Sequence, residues 1–346
     1  MQIETPFLWF TQRVKGYPKP WLFFNIDGLM LNAYEILRHG PTMRRIRSEG
    51  VHRYLGFGGL VTIDSGGFLF LSRGEINILP ETISALYEES KPNFGVVLDC
   101  PLAPNLSEED AKRRLLKTLE NTRRMVEARQ TTNPELIPVI HGYDEKTVEY
   151  CIKKLHEIGE FSIYGIGSMV PFAFNTKGSG GIYNVVKIVS FVRTLLPDKV
   201  IHVFGVGGAL TMHLMFYAGA NSVDSTSWRT KAAFGAIQLP GVGDRYITQR
   251  ERHRRYPDLG KEEQEALDEC ECPACRKEGL EGLKRSFILR ALHNAWVYQK
   301  EVEKARKMIK SSEYEEYVRR ILGRSKLFSK ALKVADKYRK KWRDRR

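Results

Sequence analysis

Short apolar runs alternate with longer segments of helical periodicity over the first 240 residues of the chain. The runs are continuous rather than alternating between apolar and polar positions, which is typical of parallel strands buried on both faces. Eight strands are predicted, at Phe7–Phe10, Trp21–Ile26, Val61–Asp64, Val96–Asp99, Pro138–His141, Ile163–Gly167, Val200–Gly205 and Ser222–Asp224. The clearest helices between them are predicted at Ser107–Ala128, Glu145–Ile158, Tyr183–Leu196 and Ala209–Tyr217.

This rhythm of strands and helices predicts an α/β fold. Eight strands with intervening helices favour a (β/α)8 TIM barrel over the alternative, a doubly wound open sheet. The rhythm ends at Pro240, where residues 241–282 become polar. Long charged helices are predicted from about Ser286 to the end of the chain.

The composition narrows the class of protein further. Hydrophobic residues make up 42% of the 346 residues, which is enough for a large core and excludes a chain that is mostly disordered. No apolar run approaches the roughly 20 residues of a membrane span, and the first ten residues lack the pattern of a signal peptide. We therefore expect a cytoplasmic protein with no membrane partner.

The charge of the chain is concentrated at its end. The net charge of +14 arises from 55 Lys and Arg residues against 41 Asp and Glu residues. Residues 319–346 hold thirteen of the basic residues and two of the acidic ones, a net +11 that leaves only +3 for the other 318 residues. This distribution predicts a basic arm that binds the phosphates of a polyanionic partner, with a solvated terminus as the alternative.

Three of the five cysteines lie within six positions, which indicates a metal site rather than a disulfide framework. The ligands are predicted to be Cys270, Cys272, Cys275 and His293, with His253 as a rival for the fourth position. Three thiolates and an imidazole form a closed tetrahedral set, which is typical of one structural zinc ion. The chain is thus divided into a barrel core (1–240), a zinc-binding subdomain (241–300) and C-terminal helices with the basic tail (301–346). Cys100 and Cys151 are interpreted as buried residues without a role in the metal site.

Polar and glycine residues stand at the carboxyl ends of the predicted strands, which is the catalytic face of a TIM barrel. They are Asp64, Asp99, His141, Gly167, Gly205 and Asp224. Three converging carboxylates are suited to acid–base or nucleophilic catalysis, although an Asp in such a position can simply cap the next helix. The glycines after Asp64 and at residues 205–208 allow close approach of backbone to a ligand. They lack the spacing of a dinucleotide-binding loop, which disfavours a Rossmann-type oxidoreductase.

Taken in order, these segments resemble the tRNA-guanine transglycosylases. The series consists of Asp64–Phe68, Leu98–Pro101, Gly165–Ser168, Phe204–Gly207, Val223–Ser225 and the cysteine cluster with His293, and it covers roughly residues 5–320. The resemblance implies base exchange, in which Asp224 attacks C1′ of a guanosine and forms a covalent glycosyl intermediate. Asp64 would be the general acid and base, and configuration would be retained as in retaining glycosidases.

The same resemblance implies a set of substrate-binding residues. Asp99 would read the N1–H and 2-amino donors of guanine, which suit an acceptor-only carboxylate. Phe68 and Phe204 would stack on the base, with core packing as the alternative role of a Phe. The remaining members of the set are His141, Gly167, Ser168 and Gly205. The resemblance also favours His293 over His253, because His293 and Asn294 open a helix as the family's ligand histidine does.

The chain departs from the pattern of the tRNA enzymes at Leu69, at His141 and in the segment 225–229. These departures resemble the branch that inserts 7-deazaguanines into DNA, so DNA is preferred over tRNA as the partner and 7-cyano-7-deazaguanine as the incoming base. The tRNA enzyme is one alternative and a non-catalytic nucleic-acid-binding paralogue another, although the presence of both Asp64 and Asp224 argues against the latter. The sequence leaves open a homodimer or a separate partner protein.

Overall fold

Nine parallel strands form one curved sheet at the centre of the computed structural model, which describes residues 3–71, 78–174, 181–248 and 257–343. The strands are β1 (Phe7–Thr11), β2 (Gly28–Asn32), β3 (Leu60–Asp64), β4 (Phe94–Val96), β5 (Glu135–Ile137), β6 (Val139–Ile140), β7 (Ile163–Ile166), β8 (Val200–Val203) and β9 (Ser222–Ser225). Their order across the sheet is β5-β4-β3-β2-β1-β9-β8-β7-β6.

The first and last strands of this order are consecutive in sequence, and they close the barrel. β5 pairs with β4, β6 pairs with β7, and only Pro138 separates the two. Proline has no N–H to donate, so the ladder is interrupted there. The carbonyl of Pro138 still accepts a hydrogen bond from the N–H of Gly165 at 2.9 Å. The nine strands therefore occupy eight barrel positions, and the predicted (β/α)8 architecture is confirmed.

One predicted strand is wrong. Residues 21–26 do not pair with the sheet. Pro20–Leu22 form a 3-10 helix instead, and the second barrel strand is β2, which begins seven residues after the predicted start. Leu22 and Phe23 are 64% and 53% exposed, so the apolar run resembles a buried strand only in sequence. The true strand begins at Gly28. A Cβ at this position would lie 2.9 Å from ring atoms of Phe7 and Trp9, so only glycine fits there.

Sixteen α-helices are present in the described residues. Eleven belong to the barrel: α1 (Ala33–Arg38), α2 (Gly40–Glu49), α3 (Val51–Leu55), α4 (Gly67–Leu71), α5 (Pro80–Ser90), α6 (Glu108–Glu127), α7 (Glu145–Ile158), α8 (Met169–Phe174), α9 (Gly181–Leu195), α10 (Thr211–Ala218) and α11 (Ser227–Ala233). Five follow: α12 (Lys261–Asp268), α13 (Pro273–Arg285), α14 (Phe287–Lys310), α15 (Tyr314–Leu322) and α16 (Lys326–Arg343). The predicted bounds of α7 agree with the structure, and Ser107 caps α6 as predicted by accepting from the N–H of Asp110.

A second, smaller core lies beyond the barrel. The antiparallel hairpin β10 (Ala236–Leu239) and β11 (Gly243–Tyr246) packs with α12, α13 and the start of α14. Its buried side chains include Ile237, Leu267 and Leu283. The predicted domain boundaries at 240 and 300 fall inside this hairpin and inside α14, and the three-part division stays a prediction.

Helix α14 runs from this second core to the opposite end of the barrel. Near its start, the side-chain amide of Asn294 donates to the carbonyl oxygens of Trp228 and Ala236 at 3.0 and 3.2 Å. Near its end, Arg306 donates to the carbonyl of Pro6 at 2.9 Å and to the carboxylate of Asp27 at 3.0 Å. Pro6 and Asp27 precede β1 and β2, so one helix spans the height of the barrel wall.

The C-terminal helices pack onto the barrel instead of extending away from it. α16 lies against α9 and α10, and its inner face contributes Ala331, Leu332 and Ala335 to the main core. Arg319 of α15 pairs with Asp336 of α16 at 2.9 Å. The basic tail is therefore an integral part of the fold through residue 343. Within the described ranges, no helix is long and apolar enough to cross a membrane.

Candidate active site

A cavity of about 270 Å³ opens at the carboxyl ends of the barrel strands. Its walls bring together residues from seven segments of the chain: Thr11, Asn32, Asp64, Phe68, Asp99, Gly167, Ser168, Phe204, Gly205 and Asp224. Every predicted catalytic or substrate-binding residue except His141 lies on this surface.

Asp64 is the last residue of β3, and it lines the cavity. The amide of Asn32 donates to Asp64 Oδ2 at 2.8 Å, and the N–H of Gly66 donates to the same oxygen at 3.1 Å. Burial, followed by the negative charges of Asp99 and Asp224, raises the pKa of Asp64 to about 8. At neutral pH this carboxyl group therefore keeps its proton, and it can give that proton to a bound molecule.

Asp99 follows β4 by three residues and is 7% exposed. The Nε2 atom of His141 lies 3.2 Å from Asp99 Oδ2, and the hydroxyl of Ser65 donates to Oδ1 at 3.4 Å. His141 is fully buried, and its Nδ1 atom is 2.9 Å from the hydroxyl of Ser168. The structure therefore places His141 behind Asp99 and Ser168, where it can affect a bound molecule only through these two residues of the cavity wall.

Asp224 lies in β9 and is also 7% exposed. The N–H of Gly205 donates to Asp224 Oδ1 at 2.6 Å, and the hydroxyl of Thr11 donates to Oδ2 at 3.1 Å. The Nε2 atom of buried His202 lies 3.4 Å from Oδ1, while its Nδ1 atom is 2.9 Å from Ser222 Oγ. Donors on both oxygens fix the orientation of this carboxylate.

Two aromatic rings border the cavity. Phe68, at the start of α4, is 57% exposed, which excludes core packing as its role. Phe204 follows β8 and rests edge-on against His202, with ring centroids 4.4 Å apart. A Cβ on Gly165 would lie 2.3 Å from the Phe204 ring, so this glycine makes room for it. A flat ligand would find an aromatic face on each of these rings.

Two glycines let the loops pass directly beside the acids. A Cβ on Gly67 would lie 2.2 Å from Asp99 Oδ1, and one on Gly207 would lie 2.3 Å from the carbonyl oxygen of Asp224. Neither contact is possible between real atoms. Gly67 and Gly207, one glycine from each of the two glycine-containing loops, are thus required by the packing around Asp99 and Asp224.

Three supporting residues were not predicted from the sequence. Thr11 and Asn32 end β1 and β2, and His202 lies inside β8. Asn32 was missed because the second strand was predicted at 21–26, so that Asn32 was not recognised as a strand end. A correct placement of that strand would have brought Asn32 to the same face as Asp64, since the two residues pair in register.

The predicted metal ligands lie together at the start of α13 and in α14. Cys270, Cys272, Cys275 and His293 place one ligand atom each within 4.8 Å of the others. The three sulfur atoms lie 3.7, 3.5 and 3.4 Å from Nδ1 of His293. A tetrahedral zinc ion with ordinary bond lengths separates sulfur and nitrogen ligands by roughly 3.6 Å, so this set fits the ion.

Contacts outside the ligand set orient the histidine. Nε2 of His293 lies 2.9 Å from the carbonyl oxygen of Gln238 in β10, which leaves Nδ1 facing the sulfur atoms. The rival ligand His253 lies outside the described residues. Four protein ligands fill a tetrahedron, so the cluster is suited to holding structure together and not to binding a substrate.

Chemically, the cavity combines one protonated carboxyl group with an oriented carboxylate and a second buried carboxylate. A buried acid with a raised pKa can act as a proton donor, and a carboxylate held by donors on both oxygens is positioned to act as a nucleophile. The flanking rings and backbone groups are suited to a planar, hydrogen-bonding ligand.

Comparisons with known proteins agree with this geometry. A family model described as queuine tRNA-ribosyltransferase matches residues 1–326. A protein named tRNA-guanine(15) transglycosylase from Methanopyrus kandleri is 29% identical over 297 residues, which cover 83% of this chain and 59% of that protein. Its namesakes from Pyrococcus abyssi and Nanoarchaeum equitans are 27% and 28% identical, covering 93% and 91% of this chain and 52% and 71% of theirs.

The chain spans little more than half the length of the first relatives it matches. The family match nevertheless covers the whole barrel, the hairpin and the cysteine cluster. The chain belongs to the queuine tRNA-ribosyltransferase family.

Proposed function

We propose that this protein is a guanine transglycosylase, which exchanges a guanine base of a nucleic acid for another base. The observation that carries the proposal is the contrast between Asp64, which is protonated at neutral pH, and Asp224, which is held by donors on both oxygens. Both carboxyl groups line one cavity that also offers two aromatic rings.

The reaction follows from these positions in two displacements. Asp224 attacks C1′ of the target nucleoside, the bond from C1′ to N9 breaks, and its electron pair leaves with the guanine. Asp64 gives its proton to the departing base, which leaves a covalent sugar–aspartate intermediate. Asp64 then accepts a proton from the incoming base, which attacks C1′ and releases Asp224.

Base recognition is assigned to the residues on the other side of the cavity. Asp99 accepts hydrogen bonds from N1–H and the 2-amino group, with His141 as its support. Phe68 and Phe204 stack on the two faces of the base. The loop at Gly167 and Ser168 is assigned to the base carbonyl; the N–H of Gly167 already donates to the carbonyl of Ile140 at 3.0 Å, so the proposed donor is the N–H of Ser168. Gly205 orients the nucleophile.

The relatives favour tRNA as the polymer, since they are named tRNA-guanine(15) transglycosylases. This reverses the preference drawn from the sequence. DNA is kept as the second candidate because Leu69, His141 and the segment 225–229 depart from the tRNA enzymes' pattern. For either polymer we propose 7-cyano-7-deazaguanine as the incoming base.

The cysteine cluster is proposed to hold one structural zinc ion. Cys270, Cys272, Cys275 and His293 would bind it, and the ion would cross-link α13 to α14. No step of base exchange involves it, because the cluster lies outside the cavity.

An exchange assay tests the proposal. Labelled guanine or 7-cyano-7-deazaguanine is offered with tRNA, single-stranded DNA or duplex DNA. Label in tRNA alone supports the first candidate, and label in DNA alone supports the second. No label in any polymer would refute the transglycosylase and favour the non-catalytic binding protein.

The variant Asp224→Asn tests the nucleophile. We expect it to abolish both exchange and the covalent adduct, because an amide cannot replace the attacking carboxylate. Asp198→Asn, at an exposed position, is the matched control. Full activity in Asp224→Asn would show that the assignment is wrong.

A further inference from the structure

Five lysines form a straight row along α16. Their spacing alternates between four and three residues, which puts all of them on one face of a helix. The lysine row is Lys326, Lys330, Lys333, Lys337 and Lys340, and all five are exposed. At a rise of 1.5 Å per residue the row is about 21 Å long.

The opposite face of the helix fixes the row in place. Leu332 and Ala335 are buried in the main core, and the ring of Tyr338 packs edge-on against Phe191 of α9. Tyr338 also donates from its hydroxyl to Glu145 at 2.6 Å. Glu145 begins the helix that follows β6, so this contact ties α16 to the end of the barrel where the cavity opens.

The described residues provide the row with no acidic counterpart. Among the described residues no carboxylate lies within ion-pair distance of any of its five lysines. Elsewhere on the surface, lysines such as Lys154, Lys284 and Lys300 each pair with a glutamate three residues away. Like charges at such spacings destabilise a helix slightly, so the row does not contribute to folding.

We propose that the lysine row binds the sugar–phosphate backbone of the polynucleotide substrate, outside the cavity that takes the base. This inference rests on the proposed function, which supplies a polyanion. Phosphate contacts of this kind set the position and orientation of the polymer without reading its sequence. An anionic membrane is a poorer partner, because a helix that lies in a membrane inserts an apolar face, and here that face is buried in the protein.

The test is a charge-neutralised variant with a matched control. The row variant carries Lys330→Gln, Lys333→Gln, Lys337→Gln and Lys340→Gln. The control variant carries Lys112→Gln, Lys117→Gln, Lys153→Gln and Lys307→Gln, which are exposed lysines on other helices. Both lose four charges, and glutamine has nearly the helix propensity of lysine. Thermal unfolding of each variant checks that the fold is retained.

The measurement is the dissociation constant for a tRNA transcript and for a DNA duplex between 50 and 200 mM salt. Each lost phosphate contact reduces the slope of log K against log salt by about 0.7 to 0.9. We expect the row variant to lose about 3 in slope and at least roughly tenfold in affinity for the substrate polymer. The control should change the slope by less than about 1. A four-fold Lys→Arg variant of the row should restore binding.

Equal slopes for the row and control variants would overturn the proposal. The proposal would also be overturned if the row variant lost binding to vesicles that contain phosphatidylserine while its nucleic-acid binding was unchanged. Failure of this inference can be distinguished from failure of the proposed function, because this test measures polymer binding and the proposed function is tested by base exchange. If exchange occurs, the row variant should keep its rate at saturating polymer and need more polymer to reach it.

Discussion

The fold strongly alters the ionisation of Asp64. This residue ends a strand beside two other acids, and burial together with their charges raises its pKa to about 8 from an ordinary value near 4. The hydrogen bonds from Asn32 and Gly66 act in the opposite direction and do not offset this rise.

The stability of the protein should therefore fall as the pH rises from about 4 to about 8. In this window native Asp64 binds a proton that the unfolded chain has already released, so raising the pH favours the unfolded state. Asp64→Asn should remove this part of the pH dependence and gain stability relative to the wild type at pH 8. Urea unfolding at pH 5 and pH 8 measures the change. Exchange activity of the wild type should also decline above pH 8, as the acid loses its proton.

The matched control is Asp198→Asn, at an exposed position. If Asp64→Asn and Asp198→Asn showed the same difference in stability between pH 5 and pH 8, the protonation assigned to Asp64 would be wrong.

Gly67 offers a second prediction for a single residue. Gly67→Ala should reduce kcat/KM about 100-fold, because the new Cβ cannot lie 2.2 Å from Asp99 Oδ1 and must displace that carboxylate. Gly58→Ala is the control, since a Cβ there meets nothing within 4 Å. Steady-state kinetics of both variants give the comparison, and equal values would show that the position of Asp99 is not critical.

Residue type and strand-end position were enough to predict which acids meet in the cavity. Asp64, Asp99 and Asp224 were found because chemistry gathers at the carboxyl ends of barrel strands. Thr11 and His202 were not found, because a threonine or histidine in a buried strand has no pattern that marks it as support for a carboxylate. The burial of His141 behind Asp99 depends on side-chain packing that the sequence does not reveal.

At the scale of the elements, the cysteine cluster joins three pieces of structure. The thiol groups come from the start of α13, the imidazole from α14, and the carbonyl that orients the imidazole from β10. The hydrophobic core beside them is small, so metal ligation should contribute much of its stability.

Removal of the proposed zinc ion should unfold this part of the chain first. Cys272→Ser, or treatment with a chelator, should lower the unfolding temperature and increase hydrogen exchange in β10, α12 and α13. Cys100→Ser is the control, because Cys100 is not part of the cluster. Metal analysis before and after treatment accompanies the exchange measurement. An unchanged unfolding temperature after complete metal loss would contradict a structural role.

Element prediction succeeded where a local signal exists. Helix α6 has a capping serine and a clear apolar stripe, and its ends were found to within a residue. The prediction of a strand at 21–26 failed because these aromatic residues lie outside the sheet, with Trp21 against Phe57 and Phe24 against Trp296 of α14. The hairpin β10–β11 gave no usable signal beyond a change to polar residues.

For the whole molecule, the C-terminal tail is the main revision. Its charge predicted a basic arm, and the structure adds that α15 and α16 bury Tyr317, Leu322 and Leu332 against the barrel. The amount and the location of the charge can be read directly from the sequence. The sequence could not predict the apolar contacts, since these depend on which barrel helices lie beneath.

A deletion of residues 320–346 should therefore destabilise the whole protein by several kcal/mol, because each large apolar side chain removed from a core costs about 2 to 5 kcal/mol. Chemical unfolding compares the deletion with the four-fold Lys→Gln variant of the lysine row, which should remain close to the wild type. Equal stability of the deletion and the wild type would show that the tail is dispensable for folding.

Helix α14 has a consequence for how the protein unfolds. It contributes His293 to the metal cluster, Asn294 to the hairpin contacts and Arg306 to the far end of the barrel. A rigid element shared by two cores makes their melting cooperative, so calorimetry of the metal-bound protein should show one transition instead of two. The barrel and the second core would then unfold as one thermodynamic unit. Replacing either of them with the corresponding part of a related protein would require new contacts to α14, which both share.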